Sequence, residues 1–219
     1  MDINADLTFI RIASEQFDEY VNTEALFYPI GSVSGMAMPQ FTIGAWLESV
    51  WRVRAVESSL DAKQRATLDD AVAGAQRVRR LWPAEYTHKA RREFKSRLDS
   101  WTWYLDDVLN ASAGVSSKGA GYVTQAHTRF KLALLGQDVA QPPQHTTLLE
   151  MCDRRLRARF VAGAFIWDPA LQPAAPPDTS PPTPGAPAAP RTAFSRQVAH
   201  GPLSEATTLA EVEAYPLPD

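Results

Sequence analysis

The chain changes character at one place. Up to Trp167 apolar residues recur at helical spacing, and from Asp168 onward proline and alanine replace them. Nine prolines fall between residues 169 and 190, at 169, 173, 176, 177, 181, 182, 184, 187 and 190. Each lacks the amide donor, and its ring collides with the carbonyl four residues back, so no continuous helix crosses this stretch. The sequence therefore divides into a helical body, residues 1–167, and a Pro/Ala-rich disordered tail, residues 168–219, where only Ser204 to Ala214 has the pattern of a short helix.

The body is of ordinary domain size. Residues 7–12 fit either a short strand or the approach to a helix. Ser14 is a cap for a first helix carrying Phe17, Tyr20, Val21 and Ala25 on one face and ending near Phe27, before Pro29, Gly31 and Gly35. Thr42 caps a second, with Ile43, Trp46, Leu47, Val50 and Val53 inward. Asp61 with Gln64 forms the pattern of a capping box for a third, bearing Leu68, Val72, Ala75, Val78 and Trp82. Pro83 then either kinks a long helix or opens a new one.

The clearest periodicity follows. Phe94, Leu98, Trp101, Leu105 and Val108 are spaced 4, 3, 4 and 3, the seam of a helix packed nearly antiparallel in a bundle. Asn110 to Gly121 reads as a loop. Val123, Ala126, Phe130, Ala133 and Leu134 mark a helix stopping at Gly136, and Pro142-Pro143 ends any continuation. A last helix runs from about Thr146 to Phe160, with Leu149, Cys152, Leu156 and Phe160 inward. With no run of alternating strands, the expectation is an all-α bundle of five or six amphipathic helices.

Motifs for chemistry fail on inspection. Glu85 and His88 have the Glu-x-x-His spacing of half a di-iron site, but no second copy exists, and both lie well away from the Phe94 face. Gly31-Ser32-Val33-Ser34-Gly35 lacks the glycine two before Ser34 that a nucleophile elbow requires, and reads as a glycine-permitted turn. Gly119-Ala120-Gly121 has neither the third glycine nor the lysine of a phosphate loop. The lone Cys152 sits among apolar positions and is read as a small buried residue. No cofactor, metal or catalytic residue is expected.

A net charge of −3 argues against a chain that coats nucleic acid or an anionic membrane, though local patches survive inside that average. Lys89, Arg91, Arg92, Lys95 and Arg97 are read as a solvated helix face with Glu85–Lys89 and Lys95–Asp99 pairs. Arg154, Arg155, Arg157 and Arg159 are the better basic cluster. Its Arg154 and Arg157, with Arg77 and Arg80, are the residues that would touch nucleic acid. One cysteine excludes an intramolecular disulfide, and the acidic start leads into no apolar run of signal or membrane length, so the expected location is cytoplasmic, with no membrane partner.

Two apolar features remain. The connector from Phe27 to Pro39 either caps the core or presents Phe27, Tyr28, Met36 and Met38 to a partner. Trp103 falls about 180° from Phe94 at 100° per residue, on the outer side of its helix. The sequence is thus read as a non-enzymatic interaction or scaffold protein that binds another protein or itself. A nucleic-acid-associated protein is the alternative.

Overall fold

A computed structural model describes residues 1–33, 35–110, 121–159 and 165–175. The greater part of the expected loop, Phe160, Ser34 and the tail beyond residue 175 lie outside the described residues, as do the side chains of Met36, Val108 and Arg159.

The protein is an all-α bundle. Seven α-helices are described: α1 Ile3–Glu15, α2 Phe17–Asn22, α3 Ile43–Ala55, α4 Ala62–Leu81, α5 Pro83–Asn110, α6 Tyr122–Asp138 and α7 Pro143–Arg159. α3 is the central element. α1 packs between α3 and α4, α6 packs between α3 and α5, and α7 lies on another flank of α5.

Residues 7–12 belong to α1, capped by Asp2, whose side chain accepts from the Ala5 amide at 3.0 Å, and the helix bearing Phe17 starts after Gln16 rather than from a Ser14 cap. Ser14 lies inside the helix, and its Oγ accepts from Trp46 Nε1 at 3.2 Å. Leu7, Phe9, Ile10, Ile12 and Ala13 are all buried because α1 is covered on two sides. That removes the one-sided stripe by which a helix is recognised. The chain breaks at Gln16, and α2 ends at Asn22, short of Phe27.

The local caps stand as read. Thr42 Oγ1 accepts from the Ala45 amide at 3.0 Å, and Asp61 and Gln64 exchange reciprocal bonds of 2.8 and 3.0 Å. Pro83 opens a new helix: Trp82 leaves helical geometry at φ −124°, ψ 59°. Pro143 likewise opens α7, where a proline's missing donor costs nothing. α6 runs past Gly136 to Asp138. On it Val123, expected inward, is 49% exposed, while Tyr122, Leu132 and Leu135 are buried. The helix is sandwiched between α3 and α5, so its buried arc is wide and a single stripe misplaces it.

The connector folds over the bundle. Ser32–Val33 (β1) pairs antiparallel with Met36–Ala37 (β2), with Gly31 and Gly35 at φ +80° and +81°, which only glycine adopts without strain. Ile30 is buried, and Tyr28, Val33 and Met38 pack against the core. Phe17 is the hub beneath, with Phe41, Trp46 and Tyr86 at ring distances of 5.0, 5.5 and 6.1 Å.

The basic stretch of α5 is only in part the solvated face expected: Arg91 and Lys95 are exposed, but Lys89 is not. Lys89 is 2% exposed and does not pair with Glu85. Its ammonium donates to the carbonyls of Thr23 and, at 3.0 Å, Ala25, and lies 4.6 Å above the Tyr20 ring. It thereby closes the C-terminal end of α2, where carbonyls lack helical partners. Glu93 is fully buried: Oε2 accepts from the Gly44 amide at 2.9 Å and Oε1 from Arg97 Nε at 2.6 Å. Arg97 also donates to Thr42 Oγ1 at 3.0 Å. A carboxylate from α5 thus caps α3. A Cβ on Gly44 would stand 2.6 Å from Glu93 Oε1, so the close approach requires glycine. Lys95 and Asp99 do form the expected surface pair, at 2.6 Å.

Ordered chain continues past Trp167. Pro169–Ala174 forms a 3-10 helix against α3, capped by Asp168 and buried at Leu171. Among the described residues, no helix is long and apolar enough to cross a membrane.

Candidate functional site

Of the six tryptophans, Trp46 and Trp101 are buried, Trp51, Trp82 and Trp167 are half-buried, and Trp103 is 71% exposed. The contrast follows from rotation along α5, which turns Trp101 and Trp103 to opposite sides. Around Trp103, Asp99 is held by Lys95, and Asp106 is held by Arg155 of α7 at 2.7 Å. Trp103 and the exposed Met151 each stand one residue from the contact between Thr102 Oγ1 and Cys152 Sγ, at 3.5 Å. Cys152 itself is buried, and burial pushes its thiol up from the ordinary range.

The connector residues are not part of this surface. Phe27 is exposed, but Tyr28 lies 6.0 Å from the Tyr20 ring and Met38 is packed on the core. The chain just before the connector meets α5 at Lys89, through Ala25, fourteen residues before Trp103, or about 21 Å along the helix at 1.5 Å per residue. The arginines also stand apart. Arg77 and Arg80 are exposed on α4, and Arg154 and Arg157 on α7. Arg154 and Arg157 line a concavity of about 530 Å³ with Arg129, whose guanidinium grips the buried Asp153 through two bonds of 2.9 and 2.7 Å. Glu85 and His88 are exposed, as their positions on the helix imply.

The structure also assembles a site that no motif announced. Glu48, 4% exposed on α3, meets His127 Nδ1 from α6, Lys131 Nζ at 3.1 Å and Arg52 at 3.5 Å. Arg52 in turn donates from Nε to Asp6 of α1 at 3.0 Å and from Nη2 to Ser49 at 3.0 Å. Burial opposes ionisation of Glu48, but the His127 hydrogen bond and the charges of Lys131 and Arg52 outweigh it and hold the carboxyl down to about 2. An ionised Glu48 accepts the Nδ1 proton of His127, which leaves Nε2 as the other ring nitrogen.

This cluster floors a cavity of about 430 Å³. Trp51, Val123, Ile166 and Trp167 supply apolar wall, and Asp2 and Asp168 stand with Asp6 among its polar groups. Asp168 accepts from the Met1 amino group at 2.9 Å. Trp167 stacks on the His127 ring at 4.8 Å and meets Phe130 edge-on at 5.0 Å. The segment after α7 therefore builds one side of the cavity. The sequence carries a single trace of it: Trp51 falls off the apolar stripe of its helix.

No protein-family model matches the chain, and no curated protein or solved structure shows significant similarity to it.

Proposed function

We propose that the protein works in the cytoplasm by binding rather than catalysis, docking through the Trp103 surface of α5 onto a second copy of the chain. The carrying observation is the 71% exposure of Trp103 beside a fully buried Trp101 on the same helix. A water-exposed indole of this size contributes nothing to a monomer, whereas tryptophan inside a polar rim is a frequent interface anchor. The rim here consists of the oppositely charged pairs Lys95–Asp99 and Asp106–Arg155. A surface that carries both signs is suited to meet itself across a two-fold axis.

Sedimentation equilibrium tests this reading. The unmodified chain should self-associate, and Trp103→Ala should shift it to monomer while leaving its urea midpoint nearly unchanged. Trp101→Ala should instead cost about 3–5 kcal/mol of stability, as for a fully buried aromatic ring. A monomer at all concentrations, or association indifferent to Trp103→Ala, would refute it.

A further inference from the structure

We infer that the cavity floored by Glu48 and Asp6 and walled by Trp51 and Trp167 is a binding site for a small organic monocation, an amine carried on an apolar or aromatic body. This reading is independent of the Trp103 surface.

The size is that of a small-molecule site. About 430 Å³ lies within the usual range of ligand pockets, and the wall is apolar with a few convergent charged groups, the composition such sites share. The floor is rigid: Glu48 and Asp6 are held by Arg52 of α3 and by Lys131 and His127 of α6. Groups fixed in this way need no ordering when a ligand arrives.

The sign of the ligand's charge follows from the groups around the cavity. Among the described residues four carboxylates stand there: Asp2, Asp6, Glu48 and Asp168. They face the guanidinium of Arg52, the ammonium of Lys131 behind Glu48, and the amino group of Met1 on Asp168. Of the groups that line the cavity itself, the four carboxylates outnumber the Arg52 guanidinium, the Met1 amino group and the His127 ring, and a surplus of carboxylate favours a counterion of positive charge. An anion would add to the imbalance. Trp51 and Trp167 add aromatic wall, a lining that suits a cation better than an anion because indole quadrupoles attract cations. Val123, half-exposed at the cavity, and Ile166 give the ligand's apolar body something to cover.

Phenethylamine, 3-phenylpropionate and 2-phenylethanol are matched probes: one aromatic body bearing a cation, an anion and a neutral group. Each is titrated into the full chain while two-dimensional NMR follows the indole and imidazole signals of Trp51, Trp167 and His127. Phenethylamine should shift these signals saturably and bind at least about tenfold tighter than either other probe, or about 1.4 kcal/mol. Val123→Trp, a change at a half-exposed position that fills the cavity, should abolish the shifts while the helical circular dichroism stays intact. Asp168→Asn, which removes one carboxylate at the edge of the cavity, should weaken phenethylamine and leave 2-phenylethanol unaffected. Equal or tighter binding of 3-phenylpropionate would overturn the charge assignment. No saturable shift with any probe, or shifts indifferent to Val123→Trp, would overturn the site.

Discussion

Gly44→Ala should destabilise this protein, although the same change in most helices stabilises. Replacing a helical glycine by alanine gains up to about 1 kcal/mol from backbone entropy and propensity. Here the new Cβ would lie 2.6 Å from Glu93 Oε1 and 3.3 Å from Leu135 Cδ1. Glu93 is fully buried and has no open space to retreat into without giving up its bonds to the Gly44 amide and Arg97. Each hydrogen bond to a charged group is worth about 1.5–3 kcal/mol. Losing one leaves a net cost of about 0.5–2 kcal/mol and losing both about 2–5, so about 2 kcal/mol is expected. Urea melts with an unchanged m-value measure it. In a Glu93→Ala background the 2.6 Å obstruction is gone and only the 3.3 Å approach to Leu135 Cδ1 remains, so Gly44→Ala should be near neutral or stabilising. The two positions should therefore show a coupling of about 2 kcal/mol in a double-mutant cycle. Stabilisation by Gly44→Ala in the otherwise unmodified protein, or equal effects in the two backgrounds, would refute the capping role of Glu93.

Glu48 carries the acid sensitivity of the cavity floor. Because its folded value is lowered to about 2, it stabilises the fold above the unfolded carboxylate value near 4.5 and loses that contribution as pH falls through 2. Urea midpoints between about pH 5 and pH 2.5 should fall less steeply in Glu48→Gln, which should itself cost about 3–5 kcal/mol at neutral pH by removing the buried charge on which Lys131, His127 and Arg52 converge. Lys89→Met should cost about 1–3 kcal/mol in the same assay, since the carbonyls of Thr23 and Ala25 lose their donor. Cys152 should resist a thiol reagent in the folded state and react once urea exposes it, because burial raises its thiol and shields it from attack.

The sequence discloses what is local. Thr42 and the Asp61–Gln64 box act within three residues of themselves, and the outward place of Trp103 follows from rotation along a single helix. The elements it misreads are those covered on two sides. In α1 the apolar residues run almost together, and on α6 the stripe from Val123 to Leu134 holds at Ala126 and Phe130 but misses at Val123, because the helix is buried from both α3 and α5. Charge is hardest of all to place. Lys89 looks like a member of a solvated basic face, yet it is buried on an acceptor 66 residues away, and the neighbouring Glu93, though paired with Arg97 four residues on, caps an amide 49 residues away. The cavity floor joins Glu48 to His127 across 79 residues and Arg52 to Asp6 across 46, distances at which no spacing rule operates.

Tying α3 to its neighbours at both ends also affects how it opens. The first amides of a helix have no partner within the helix and normally exchange with solvent early, through fraying that leaves the rest of the fold standing. The Gly44 amide is instead held by a buried carboxylate on α5, while Arg52, near the other end, is held by Asp6 on α1. Neither end loosens without disturbing another helix, so hydrogen exchange at Gly44 should require unfolding of the whole body and rank with the slowest core amides. The helix that floors the cavity would then be among the last parts of the molecule to let water in.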